Sequence, residues 1–148
     1  MRAKKVDFAP HLYDYEEHGG TKRSAELLSV EEHAVVKTLI FETDARKAFI
    51  VLMHGDCSVS AKQLARVMNV KSVQPCEVER AQKLTGYMVG GTSPFGTRTP
   101  LPVYAEKTIF ELRKIYINGG KRGFLVEIEP RILKELLPVA EVEVAIKE

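Results

Sequence analysis

The chain has 148 residues, of which 45% are apolar and 28% charged, with a formal net charge of +2. That is the length of a single domain, residues 1–148, able to bury about 68–70% of its unfolded surface, and the composition is that of a folded chain. The charge is too small for a dedicated duplex-DNA binder, and no stretch approaches the roughly 20 apolar residues of a membrane span.

The basic start, Met1-Arg2-Ala3-Lys4-Lys5, has no apolar run after it to make a signal peptide, so a cytoplasmic protein is expected. Cys57 and Cys76 form no CxxC pair and suggest no disulfide framework. No Cys/His spacing resembles a zinc site, and neither a metal nor another cofactor is expected.

In chain order, Val35 to Phe41 reads as a buried strand, Glu42-Thr43-Asp44 as a turn, and Ala48 to Met53 as a second strand forming a hairpin with the first. Ser60 caps a helix running to about Asn69, with Leu64, Ala65, Val67 and Met68 as its inward stripe. Glu77 to Thr85 forms another helix, acidic in its first turn and carrying Lys83 in its last. Val103 to Ala105 is a short strand and Lys107 to Leu112 a helical turn. Ile115 to Ile117 and Phe124 to Ile128 are strands joined by the Gly119-Gly120 turn. Pro130 suits the first position of a helix ending near Leu137, and the alternating run Val139 to Ile146 closes the sheet. Adjacent strand pairs without regular βαβ spacing imply a mixed α/β (α+β) fold: a mixed or largely antiparallel sheet with helices packed around it.

Three features are able to carry chemistry. Lys37 lies on the strand face of Val35, Leu39 and Phe41. There it is either a gatekeeper on an edge strand or a pocket lysine. The run Gly86-Tyr87-Met88-Val89-Gly90-Gly91-Thr92-Ser93-Pro94-Phe95-Gly96 lacks the Walker A and GxGxxG patterns. It is either a series of structural turns or a loop whose N–H groups meet a carboxylate, phosphate or oxyanion. Asn118-Gly119-Gly120-Lys121-Arg122-Gly123 is either a plain hairpin turn or a cationic tip for phosphate. The other basic groups, Arg2/Lys4/Lys5, Lys22/Arg23 and Arg113/Lys114, read as scattered solvated charge unless several meet on one face.

Other residues carry weaker signals. His11, His18, His33 and His54 show no HExxH arrangement, and Ser93 is not in a GxSxG elbow. The pairs Glu16/Glu17 and Glu31/Glu32 read as solvated surface. Cys57 and Cys76 read as small buried apolar groups rather than nucleophiles.

Taken together and in this order, Val36-Lys37-Thr38-Leu39, the Thr85–Gly96 glycine motif and Asn118–Gly123 resemble the YbaK/EbsC family. This is the Cys-tRNA(Pro) deacylase group, related to the editing domain inserted in bacterial prolyl-tRNA synthetases. His54-Gly55-Asp56-Cys57, the Lys62–Met68 helix and Leu101-Pro102-Val103-Tyr104 also look like the family, so the resemblance runs from about Phe8 to Leu137. It implies a mixed, partly barrel-like sheet with a pocket beside the lysine strand, and hydrolysis of the ester that joins an amino acid to tRNA.

The family's functional lysine corresponds to Lys37 and its glycine-loop residues to Gly90, Gly91, Thr92, Ser93 and Pro94. A tyrosine near the N-terminus of some members corresponds to Tyr15, with Tyr13 close by. Some members carry Asp where this chain has Leu125. For cysteine-specific members the resemblance implies that the substrate thiol attacks its own ester carbonyl. It further implies tRNA as partner, met by Lys121 and Arg122, with prolyl-tRNA synthetase as the partner able to deliver it. Removal of alanine or proline instead, a non-catalytic tRNA- or synthetase-binding module, and a small-molecule esterase are the alternatives that the sequence leaves open.

Overall fold

The computed structural model describes residues 9–12, 20–88 and 90–147. The strand expected from Val35 is β2 (Val35–Thr43), which pairs antiparallel with β3 (Ala48–His54), Lys37 lying opposite Met53. The run stays in the strand through Glu42 and Thr43, both buried, so the turn begins only at Asp44. A polar pair there looks like turn chemistry in sequence, yet β5 (Val73–Pro75) pairs with Phe41–Thr43 and holds it in the sheet.

Among the described residues, eight strands form the main sheet. Its path runs through β1 (Ala9–Leu12), β8 (Phe124–Ile128), β7 (Ile115–Asn118), β2, β3, β6 (Val103–Glu106) and β9 (Val139–Val142), with β5 branching from β2. Among the described residues, β1–β8, β7–β8, β2–β3 and β2–β5 are antiparallel. β2–β7, β3–β6 and β6–β9 are parallel. The sheet is therefore mixed, as the strand pairs implied. The final alternating run splits in two: β9 takes the sheet edge, while β10 (Ala145–Lys147) pairs with β4 (Cys57–Val59) in a separate ribbon. Its split is set by Glu106, whose buried carboxylate accepts the Val144 and Ala145 N–H groups at 2.7 and 3.0 Å.

Strand alternation sends β2 and β3 side chains into two cores. Val36, Ile50 and Leu52 meet Ile117, Val126 and α4 (Arg131–Leu136) through Ile132 and Leu133. Phe41, Val51 and Met53 meet Leu64 and Ala65 of α2 (Ala61–Met68). The helix starts as expected, with Ser60 Oγ accepting the Gln63 N–H at 3.2 Å, and ends at Asn69 in the left-handed region (φ 57°). Its inward stripe is narrower than expected: Leu64 and Ala65 are buried but Val67 is exposed, because an eight-residue helix on one sheet face covers only part of its circumference. Pro130 sits one position earlier than expected, capping α4 rather than opening it. Helix α1 (Gly20–Leu28) and strands β1, β4 and β5 had no clear sequence signal. No helix among the described residues is long and apolar enough to cross a membrane.

One interruption positions the site. On the side of β2 away from β3, β7 covers only Val35 and Val36, and β5 covers only Phe41 to Thr43. The next bond on that edge is from Cys76 N–H to the Ile40 carbonyl, at 2.9 Å. Neither the β7 register nor the β5 register extends over residues 37–39.

Candidate functional site

A cavity of about 360 Å³ lies over this uncovered stretch of β2. Lys37, Thr38 and Leu39 form one wall. Ser58 and Val59 of β4 and Cys76, just past β5, form others. Helix α3 (Val78–Thr85) supplies Val78, Ala81 and Gln82, and the glycine loop supplies Thr92. Lys37 and the glycine-rich segment thus border one hollow, of the size range usual for small-molecule sites. No histidine, aspartate or glutamate is among the described residues that line it.

The glycine loop is shaped by its neighbours. Gly90 takes φ +88°, open to glycine at little cost. A Cβ on Gly91 would stand 2.7 Å from the Arg122 nitrogen and 2.8 Å from the Lys121 carbonyl carbon, so the loop backbone packs directly on the β7–β8 turn. Asn118 ties the two together. Its amide donates to the carbonyls of Gly90 and Lys121 at 3.2 and 3.1 Å, and its oxygen accepts the Gly120 N–H at 2.6 Å. Two sequence motifs 28 residues apart are therefore one structural unit. The sequence showed both, with Asn118 opening the second, but gave the asparagine no role of its own, its signal being only its place beside two glycines.

Not every residue of the loop is available to a ligand. The Gly91 N–H donates to the Met88 carbonyl at 2.9 Å. Ser93 is buried and its Oγ accepts the Phe95 N–H at 3.1 Å, which folds the Ser-Pro-Phe turn. The Tyr87 hydroxyl donates to the Phe95 carbonyl and braces the same turn. Pro94 is buried, and Gly90 is exposed. Of the five loop residues singled out in sequence, Thr92 is the one that lines the cavity. Lys121 and Arg122 stand exposed on the adjoining turn, with the Lys121 ammonium 5.7 Å from the Phe124 ring centre. Tyr15, its neighbour Tyr13, and the basic group Arg2/Lys4/Lys5 lie outside the described residues.

The opposite wall is braced by an ion pair between buried Glu42 and half-buried Arg80. Glu42 takes hydrogen bonds from Gln74 (3.1 Å) and Arg80, and Arg80 also donates to the Arg46 carbonyl at 2.8 Å. The Gln74 bond, then Cys76 and Arg80, hold the Glu42 carboxyl below its ordinary value against the effect of burial. Arg80 thereby fixes α3, and with it Val78, Ala81 and Gln82, against the β2–β3 hairpin. Cys76 is not the buried apolar group expected. It is half-buried on the cavity wall, and burial together with the bond to Glu42 raises its thiol above the ordinary value.

At the near end of β2 lies a second polar cluster. His54 is fully buried. Its Nδ1 bonds the His33 carbonyl and its Nε2 the Thr108 hydroxyl, both at 2.7 Å. The His33 ring stacks on it with centres 3.7 Å apart. His33 Nδ1 lies 2.8 Å from Asp56, which also accepts from the Cys57 thiol at 3.4 Å. Burial holds His54 below its ordinary value and pushes the Cys57 thiol up to about 11. Burial opposes ionisation of Asp56, but the His33 and Cys57 bonds outweigh it and hold the carboxyl low. A nitrogen, an oxygen and a sulfur of His33, Asp56 and Cys57 lie within 4.8 Å of one another, close enough to hold a cation, which no local spacing in the sequence indicated. With its proton retained, Cys57 is a poor nucleophile. Glu32, expected as solvated surface, instead accepts the Thr21 hydroxyl at 2.8 Å.

Comparison with known proteins is specific. The sequence pattern of the aminoacyl-tRNA editing domain matches residues 16–136. An Enterococcus faecalis protein named as a Cys-tRNA(Pro)/Cys-tRNA(Cys) deacylase, EbsC, is 27% identical over 145 residues, spanning 97% of this chain and 88% of that one. A proline–tRNA ligase of Lactobacillus delbrueckii is 27% identical over 97 residues, which are 66% of this chain but 17% of the ligase. Among solved structures, one described as a trans-editing enzyme for prolyl-tRNA synthetase superposes with a TM-score of 0.82 at 23% identity, covering 97% of this chain and 87% of that one. The protein APE2540 superposes with 0.85 at 24% identity, covering 98% of this chain and 94% of the other.

Proposed function

The chain belongs to the aminoacyl-tRNA editing domain family, and on that premise we propose that it is a trans-acting deacylase that hydrolyses the ester of mischarged tRNA, with Cys-tRNA(Pro) as its substrate. The observation that carries the reading is the cavity itself: Lys37 of β2 and Thr92 of the glycine loop line one hollow, and no histidine, aspartate or glutamate is among its described lining residues.

That composition favours a substrate that brings its own nucleophile. The cysteinyl sulfur attacks the ester carbonyl carbon, the carbon–oxygen bond to the terminal ribose breaks, and the ribose oxygen takes up a proton. The strained thioester ring that results is opened by water to free cysteine. Such an intramolecular attack gains up to about 7–11 kcal/mol from proximity and orientation alone. Lys37 supplies positive charge for the carbonyl oxygen or for the terminal nucleotide. Because the Gly91 N–H is engaged in its own turn, Thr92 is the loop residue set to meet the developing oxyanion. Gly90, Gly91, Ser93 and Pro94 act by holding Thr92 in place.

Lys121 and Arg122, next to that loop, are suited to the phosphates of the acceptor stem. The modest net charge fits weak binding of tRNA alone, with prolyl-tRNA synthetase delivering it. The cytoplasm, where charged tRNA is used, is the setting this implies, and residues 1–148 act as one domain.

The test is a deacylation panel with Cys-, Ala-, Pro- and Ser-charged tRNA(Pro). The expected result is fast release of cysteine and slow release of serine. Equal rates for cysteine and serine reject thiol assistance, and preference for alanine or proline reassigns the substrate. Tight binding of tRNA with no release of any amino acid leaves a binding module in place of an enzyme.

A further inference from the structure

One wall of the cavity is held by a segment far from every motif. Ser58 and Val59 line the hollow from β4, a strand of three residues. Its ladder partner among the described residues is β10, in the register Ala145↔Val59, Ile146↔Ser58 and Lys147↔Cys57. One step further along, Ser60 N–H donates to the Val144 carbonyl at 2.8 Å. A two-stranded ribbon is marginal by itself and needs an anchor. β10 does not supply it by burial, since Ala145, Ile146 and Lys147 are all exposed. The anchor is Glu106, 3% exposed, one of whose carboxylate oxygens accepts both the Val144 and the Ala145 N–H. Its other oxygen lies 3.4 Å from the Thr108 hydroxyl. Charge-assisted bonds of this kind are stronger than neutral ones. Just before β10, Val142 and Val144 sink into the same core as Leu39 and Val59, two apolar residues of the cavity lining. The matched family pattern ends at residue 136, so the segment that backs this wall lies outside it.

We propose that Glu106 is a positioning residue for amino-acid selection: by anchoring β10 it fixes β4, and so holds Ser58 and Val59 where they limit the room for the amino acid's side chain. This rests on the deacylase reading and deepens it. Lys37 and Thr92 give the hollow its polar groups, while Leu39, Val59, Val78 and Ala81 give it apolar walls suited to a small side chain. A cavity selects by size only while its walls resist displacement, and room for one methylene changes discrimination by about 10- to 200-fold. Attack by the substrate's own thiol makes the same demand, because proximity is effective only while the reacting groups stay aligned. Glu106 is not among the described residues that line the cavity, and it acts through the main chain that it anchors.

Glu106→Ala, Glu106→Gln and Ile146→Pro are compared with wild type on Cys- and Pro-charged tRNA(Pro), with amide hydrogen exchange measured alongside. Glu106→Ala leaves two backbone N–H groups without an acceptor. Glu106→Gln keeps the accepting oxygen and turns its NH2 toward the Thr108 hydroxyl oxygen, which is able to accept. Counting from the Ser60–Val144 bond, Ile146 and Ser58 are the next hydrogen-bonded pair, so proline at exposed position 146 cuts the ladder and leaves Glu106 in place. In Glu106→Ala and Ile146→Pro the ratio of kcat/KM for cysteine over proline is expected to fall about 10-fold. Exchange at Ser58 and Ser60 speeds up in both, while that of the β2–β3 amides stays unchanged. Glu106→Gln restores the ratio to within about 3-fold of wild type. A wild-type ratio in Glu106→Ala and Ile146→Pro overturns the proposal, as does an equal loss on both substrates, which marks a general loss of stability. A loss in Glu106→Gln as large as in Glu106→Ala overturns it too, as does unchanged exchange at Ser58 and Ser60. If Glu106→Ala does not fold, Ile146→Pro decides. Failure of wild type on every aminoacyl-tRNA is a separate result that sinks the deacylase reading itself, and the exchange rates then decide whether Glu106 holds the wall.

Discussion

The two polar regions that flank the first half of β2 use similar residue types to opposite ends. In the His33–His54–Asp56–Cys57 cluster, bonds and ring stacking answer each group: both His54 nitrogens are bonded, Asp56 is shared between His33 and Cys57, and the Cys57 thiol stays protonated. Along the cavity wall a few residues away, Thr38 carries a buried hydroxyl with no hydrogen-bond partner among the described residues. The lesson is that reactive residue types do not mark the site here. A histidine, an aspartate and a cysteine together form a clasp, whereas a threonine and a lysine beside a break in strand pairing line a cavity.

The comparison breaks most decisively at Lys37. Lys37→Ala is expected to lower kcat/KM for deacylation by about 100-fold or more while leaving the melting temperature within a few degrees of wild type. A comparable loss from Cys57→Ser, measured in the same assay, would move the chemistry to the clasp.

Next in size is Gly91→Ala. The added carbon meets the backbone of Lys121 and Arg122 rather than a flexible side chain. Denaturant unfolding is expected to show a loss of about 1–3 kcal/mol, with activity falling further as Thr92 shifts.

A smaller effect separates the clasp from the cavity by pH. Burial keeps His54 below its ordinary value of 6.5. The unfolded chain therefore binds a proton that the folded chain refuses, and stability declines as pH falls below 6.5 until the lowered folded value is reached. Glu42, lowered from 4.5, adds a second decline at more acid pH, its contribution being present above that value and lost as pH falls through the folded one. Melting curves across this range should show the first decline flattened in His54→Asn and retained in Thr38→Val.

The smallest effect belongs to the turn. Replacing Lys121 and Arg122 together by alanine should reduce the slope of log binding constant against log salt by about 1–2. A slope that does not change places the acceptor stem elsewhere.

The sequence carried much of this. The β2–β3 hairpin, the Ser60-capped helix, and the strands on either side of Gly119-Gly120 followed from local periodicity and capping chemistry, which act over a few residues. Lys37, the glycine loop and the Lys121-Arg122 turn were legible as motifs. Strands of three or four residues such as β4 and β5 were not, because so short a run has no period to read and owes its form to the strand it pairs with.

By itself, then, the sequence determined the local elements, the mixed character of the sheet and the family, since each depends on residue order within a segment or across a motif. The tertiary structure alone decided that the glycine loop and the basic turn are one unit stitched by Asn118. It alone decided that His33 meets Asp56 and that, among the described residues, the outer edge of β2 at Thr38 falls in a gap between β7 and β5. Each of these turns on which strands stop pairing where, a matter of long-range register that no window of sequence contains.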